Sequence, residues 1–183
     1  MSVRSLLAIV GLLGMQSTSL AIENPSLDAE IQTSTLIHQG EPPPDFSCQT
    51  TDGITFTLSQ QKGKVVLLYF FASSVPFCYA EMRYIEKEIV KKLEKRTDFV
   101  VLCLARGHTR EEVVRIAGEN HLRLPMAADE SREIYASMFT KFVPRTVLVS
   151  QDGRVIYTSA GSREFEGIVK LQQVIARHLR DSK

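Results

Sequence analysis

The chain has 183 residues, 44% of them hydrophobic and 23% charged, with 22 Lys+Arg against 21 Asp+Glu for a formal net charge of +1. This composition excludes a wholly disordered, fibrous or polytopic membrane chain, and no basic surplus or Lys/Arg tract is present to follow a nucleic-acid backbone. Three cysteines are too few for a disulfide-built scaffold, and the length is enough for one compact domain with its own core.

Arg4 and the apolar run Leu6–Met15 (LLAIVGLLGM), followed by Ser19 and Ala21 at small-residue positions, predict a cleaved signal peptide over residues 1–21. A ten-residue helix reaches only about 15 Å, roughly half a bilayer core, so this run is not expected to be a stable span and none is expected after cleavage; the alternative is an uncleaved N-terminal anchor helix. Residues 22–45 end in Glu41-Pro42-Pro43-Pro44-Asp45 and predict an extended lead-in, because three successive prolines favour polyproline II. The folded domain is expected over 46–183.

Phe46–Gln49 and Ile54–Thr57 flank Asp52-Gly53 and predict an N-terminal β-hairpin. Val65–Phe71 (VVLLYFF) is apolar on both faces, as a central strand covered by helices on each side must be. A helix is predicted from Cys78 to Leu93, with Met82, Ile85, Ile89 and Leu93 on its buried stripe. Glu81, Glu86 and Glu88 read as its solvated face. Phe99–Ala105 predicts a second strand, and Thr109 with Glu112 a capping box that opens a helix over Arg110–Glu119. A short helix is expected around Ser131–Phe139. Thr146–Ser150 and Val155–Ser159, joined by Gln151-Asp152-Gly153-Arg154, predict a second hairpin. Phe165, Ile168, Leu171, Ile175 and Leu179 mark a last amphipathic helix. A strand–helix–strand unit makes a parallel pair and the second hairpin adds antiparallel strands. The predicted class is therefore α/β: a three-layer fold with a central mixed sheet and helices on both faces.

Phe70-Phe71-Ala72-Ser73-Ser74-Val75-Pro76-Phe77-Cys78-Tyr79-Ala80-Glu81-Met82 resembles the active-site segment of TlpA-like proteins of the thioredoxin fold, in the redoxin group. In that family a strand runs into Cys-x-x-Cys, followed by Glu and Met on the helix. Phe142-Val143-Pro144-Arg145-Thr146 resembles the family's second landmark, a cis-proline that faces the active cysteines. The resemblance implies a three-layer thioredoxin-like fold, a thiol–disulfide oxidoreductase lineage concerned with redox homeostasis, and a periplasmic setting. It covers roughly 41–179.

The departure lies at the chemistry. Cys78 occupies the second cysteine position and Val75 the first, giving a degenerate Val-x-x-Cys. A thiolate must attack a disulfide and a neighbouring thiol must release the product, so the local dithiol cycle is unavailable. Cys78 stands in the first turn of a helix, where unpaired N–H groups and the helix dipole favour a thiolate, while Val75 and Phe77 add apolar cover that disfavours it. Cys103 alternates inward on a strand and reads as core, whereas Cys48 lies at the hairpin. Three pairings among the cysteines are open.

Arg106 and His108 follow the second parallel strand at the edge where the Cys78 loop opens, and Arg145 follows the cis-proline. All three are candidate supporting residues; for Arg106 and His108 the alternative is a solvated loop residue, and Arg145 points to the other side if the stretch is already extended. No histidine spacing suggests a metal, and no cofactor motif is present.

Two functions compete. In the first, Cys78 forms a mixed disulfide with a protein or small-molecule thiol partner, and an external thiol or another cysteine resolves it. In the second, the domain is non-catalytic and holds an extended peptide in a groove beside Val75, Pro76, Phe77, Val143 and Pro144. A one-cysteine peroxidase is a third reading, since peroxiredoxins carry Thr-x-x-Cys. Val75 lacks the hydroxyl, however, and Pro144 stands where their arginine falls.

Overall fold

The computed structural model describes residues 25–161 and 166–180. The predicted signal peptide and Phe165 lie outside them. Five strands form the central sheet in the order β5-β4-β3-β6-β7: β3 (Val65–Phe71), β4 (Phe99–Arg106), β5 (Met126–Asp129), β6 (Arg145–Val149) and β7 (Val155–Ala160). β3 pairs in parallel with β4, and β4 with β5. β6 runs antiparallel to both β3 and β7. β1 (Ser47–Gln49) and β2 (Thr55–Thr57) make a separate two-stranded hairpin. Both Asp-Gly turns form as predicted, with Gly53 at φ +89° and Gly153 at φ +84°, backbone that side chains rarely adopt.

Alternation along β3 divides the core in two. Leu67, Tyr69 and Phe71 point to one face, where they pack with Cys78, Met82 and Ile85 of the helix after β3, Val113 of α4 (Arg110–Glu119) and Leu171 of α6 (Glu166–Arg180). Val66, Leu68 and Phe70 point to the other face, against the hairpin residue Phe56 and Tyr135 and Met138 of α5 (Glu133–Met138). All seven β3 side chains are buried, which explains the unbroken apolar run. Thr109 caps α4 through the predicted reciprocal box with Glu112.

Three features differ from the sequence reading. The segment expected to be wholly extended carries a helix, α1 (Pro25–Thr33), and then knits into the domain. Thr35 bridges Phe139, Leu36 N–H donates to the Met138 carbonyl at 2.9 Å, and Ile37 is buried. β5 carried no sequence signal, because Met126-Ala127-Ala128-Asp129 is short, alanine-rich and weak in β propensity. The helix after β3 is continuous but not uniform. α2 (Phe77–Tyr84) passes through a π-helical stretch, Ile85–Val90, into the turn α3 (Lys91–Leu93), and Lys91 N–H reaches the Glu86 carbonyl five residues back.

Candidate functional site

The turn between β3 and α2 is made by local backbone bonds. Val75 N–H donates to the Ala72 carbonyl at 3.1 Å, and Cys78 N–H to the Val75 carbonyl at 3.0 Å. Pro76 sits at the helix entrance with φ −56°, where its missing N–H costs nothing. These bonds roll the chain so that Val75 is half-buried, Phe77 stays 41% exposed and Cys78 turns fully inward at 0% exposure. Phe71, Met82 and Tyr69 share its cluster, with Val75 and Tyr79 packed against it.

At Cys78 burial outweighs the helix terminus. Desolvation pushes the thiol from an ordinary 9.0 to about 11; a hydrogen bond from the Ala72 backbone pulls it down, the Glu81 carboxylate pushes it up, and the Tyr69 hydroxyl pulls it down. At pH 7 only about one molecule in ten thousand carries the thiolate, the form that attacks. Cys48 is half-buried and pushed up to about 11, by desolvation first and the Asp129 carboxylate second. Cys103 is fully buried, and desolvation pushes it up further still. All three are free thiols.

A thiol whose folded pKa is raised keeps its proton while the unfolded chain ionises. Its contribution to stability is whole below pH 9 and is lost between pH 9 and about 11. Denaturant titrations should therefore show alkaline destabilisation in that window, with about 2–3 kcal/mol belonging to Cys78 and absent in Cys78→Ser.

The Val143–Pro144 peptide bond is cis, as the resemblance implies. Pairing of Phe70 with Arg145 and Tyr69 with Thr146 carries Pro144 to the position opposite Phe71. It lies on the face that Leu148 and Cys78 share. Pro144 is buried, and Gly161 N–H donates to its carbonyl at 2.8 Å. The Val143 side chain packs on the opposite core, so Val143 offers this edge its backbone, which has no hydrogen-bond partner among the described residues.

Of the three supporting candidates, one reaches the loop. His108 Nε2 accepts the Ser73 backbone N–H at 3.1 Å, and its ring stands edge-on to Phe71 with centroids 6.5 Å apart. Arg106 lies on the other side of the sheet, with its guanidinium 4.6 Å from the Tyr135 ring centroid. Arg145 is also on that side, 1% exposed. It donates to the Lys141 carbonyl at 3.1 Å, to the Thr35 hydroxyl at 3.0 Å and to the Ser34 hydroxyl, beneath the Phe139 ring at 4.7 Å. Neither arginine is a partner for the Cys78 thiol, because adjacent strand residues alternate faces.

Sequence reading missed the Tyr69–Glu81 pair. Glu81, expected on the solvated face, is 5% exposed and accepts the Tyr69 O–H at 2.6 Å; the Tyr69 hydroxyl also lies 3.4 Å from the Cys78 carbonyl. The signal was available: Cys78, Glu81 and Ile85 stand at helical spacings of three and four and so share a face. Glu86 takes the Arg123 backbone N–H at 3.2 Å, and Glu88 pairs with Lys92 at 2.8 Å, as surface residues do. Among the described residues no three His, Cys, Asp or Glu side chains cluster as metal ligands.

A mixed sheet with a helix-borne cysteine after its central strand and a cis-proline on the same face defines a thioredoxin-like fold of the thiol–disulfide oxidoreductase type. The chain belongs to the Redoxin family, whose signature matches residues 38–172. It is 26% identical over 134 residues to the thiol-disulfide oxidoreductase ResA of Bacillus thuringiensis (strain Al Hakam), covering 72% of this chain and 76% of that protein. Among solved structures it is similar to a Bacteroides thetaiotaomicron protein provisionally assigned as a protein disulfide isomerase. That match has a TM-score of 0.72 and 29% identity, covering 82% of this chain and 98% of the other. It is also similar to the exposed lipoprotein thioredoxin Etrx1 of Streptococcus pneumoniae strain TIGR4, with a TM-score of 0.61 and 26% identity, covering 71% and 98%. No helix among the described residues is long and apolar enough to cross a membrane.

Proposed function

We propose that this protein is an extracytoplasmic, thioredoxin-like binding protein of the thiol–disulfide oxidoreductase lineage. It holds an extended segment of a protein partner between Val75, Pro76 and Phe77 on one side and the Val143–Pro144 edge on the other. Val75 occupies the attacking position, and Cys78 is a shielded thiol that does not start exchange. The observation that carries this reading is the complete burial of Cys78 beside an exposed Phe77 and a Val143 backbone that has no hydrogen-bond partner among the described residues. An extended chain can add its own hydrogen bonds to such an edge. The apolar segment before Ala21 and the likeness to an exposed lipoprotein thioredoxin support a site of action across the inner membrane, in the periplasm.

The test is a nuclear magnetic resonance titration of the full mature chain with reduced, S-carboxymethylated lactalbumin, an unfolded polypeptide with its thiols blocked. Amide shifts should concentrate at 75–78 and 142–144, and Phe77→Ala should weaken binding about tenfold. Shifts confined to other surfaces would refute the groove. A second reading, a mixed disulfide at Cys78, draws support from the Ala72 and Tyr69 hydrogen bonds that pull its pKa down. Under that reading glutathione disulfide modifies Cys78 in the native protein.

A further inference from the structure

A neutral imidazole has one nitrogen that donates and one that accepts. Nε2 of His108 accepts the Ser73 N–H at 3.1 Å, so the neutral ring carries its proton on Nδ1. Nδ1 is buried and has no partner among the described residues. The ring therefore sits where it does for the bond on its other side. The next peptide unit, 73–74, is held from α2, where the Tyr79 hydroxyl donates to the Ser73 carbonyl at 3.4 Å. Between them these two side chains hold the start of the turn that rolls over Cys78, which Val75 N–H closes onto the Ala72 carbonyl.

The placement of His108 is itself fixed from β5. Gly107 N–H donates to the Asp129 carbonyl at 2.8 Å, and Gly107 has φ +73°. That positive φ is what favours glycine here, and a Cβ would also meet the end of the exposed Arg132 side chain, with Nε at 2.6 Å, which would have to move aside.

We propose that His108 is a positioning residue: its bond to Ser73 latches the 72–76 turn shut over Cys78 and sets the Val75 wall of the groove. This differs from a thiolate partner, because Nε2 is turned to a backbone amide and not to sulfur. The proposal rests on the reading of Cys78 as a shielded thiol, but its test does not depend on what the groove binds.

The experiment uses the full mature chain and three variants: His108→Leu, which keeps bulk and removes the acceptor, and His108→Asn and His108→Gln, which retain a side-chain carbonyl. Iodoacetamide labelling of the native protein is followed by peptide mass spectrometry, with Cys103 reporting global opening. His108→Leu should label Cys78 roughly 5- to 10-fold faster with Cys103 unchanged, and at least one amide variant should restore the slow rate. Labelling of Cys78 at the natural rate in His108→Leu, or a parallel rise at Cys103, would overturn the latch. Long-range nitrogen-15 spectra of the unmutated protein give an independent check. An Nδ1–H tautomer supports the bond, and an Nε2–H tautomer overturns it even if a variant fails to fold. Accelerated labelling with unchanged lactalbumin binding would keep the latch while removing the 75–77 wall from the groove reading.

Discussion

Val75→Cys should raise disulfide-reductase turnover far above that of the natural chain. Residue 75 lies one turn before Cys78, and its carbonyl already accepts the Cys78 N–H at 3.0 Å, so the two side chains leave a single rolled turn. Position 75 is only half-buried, and a thiol there faces the start of α2, where the helix favours an anion. It attacks one sulfur of a substrate disulfide and expels the other as a thiolate that takes up a proton. Cys78 then attacks the mixed disulfide, releasing the second substrate thiol and leaving the 75–78 disulfide for dithiothreitol to reduce. In an insulin-reduction assay with dithiothreitol, the variant should exceed the natural chain by about 100-fold or more. A folded variant that forms its internal disulfide yet shows no gain would mean that the groove no longer admits a disulfide.

Arg145→Ala should produce the largest loss of stability of any single substitution proposed for this fold. The guanidinium is 1% exposed and has no carboxylate partner among the described residues. Burial lowers its pKa, and the charge is held by the Lys141 carbonyl, two hydroxyls of the N-terminal segment and the faces of Phe139 and Phe142. Truncation leaves a cavity at the junction of β6, α5 and the segment after α1, and a cost of about 3 kcal/mol follows. Denaturant unfolding reads the loss directly. Limited proteolysis should open first at 34–38, because Ser34 and Thr35 lose their anchor. A variant within 1 kcal/mol of the natural chain would show that relief of the buried charge offsets the lost packing.

How far the sequence carried this account depended on whether a residue's role was local. The β3 run, the Thr109–Glu112 box and the two Asp-Gly turns are decided by neighbours within four residues, and each formed where its pattern fell. β5 is held by pairing of Cys103 with Met126 and Leu104 with Ala127, partners more than twenty residues away, so four weak strand formers gave no warning. The 22–45 segment misled for a related reason. Its prolines were legible, but the buried arginine that captures Ser34 and Thr35 lies more than a hundred residues on. At the site, Cys78, Val75 and the cis-proline could be picked out by resemblance. The balance at Cys78 could not, because helix terminus and burial act in opposite directions and only packing decides between them. Arg106 shared a loop neighbourhood with His108 in sequence, yet strand alternation sent it to the far core, where Arg145 also lies as extended chain after Pro144 implies, and left only the histidine at the loop.

The central claim is that Cys78 is sealed and held as a thiol. The direct measurement is the pH dependence of iodoacetamide reaction at Cys78 in the native chain, resolved from Cys48 and Cys103 by peptide mass spectrometry. Reaction should be slow through pH 8, with the rate rising toward a midpoint near 11. Rapid modification at pH 7 with a midpoint at or below 8 would contradict it.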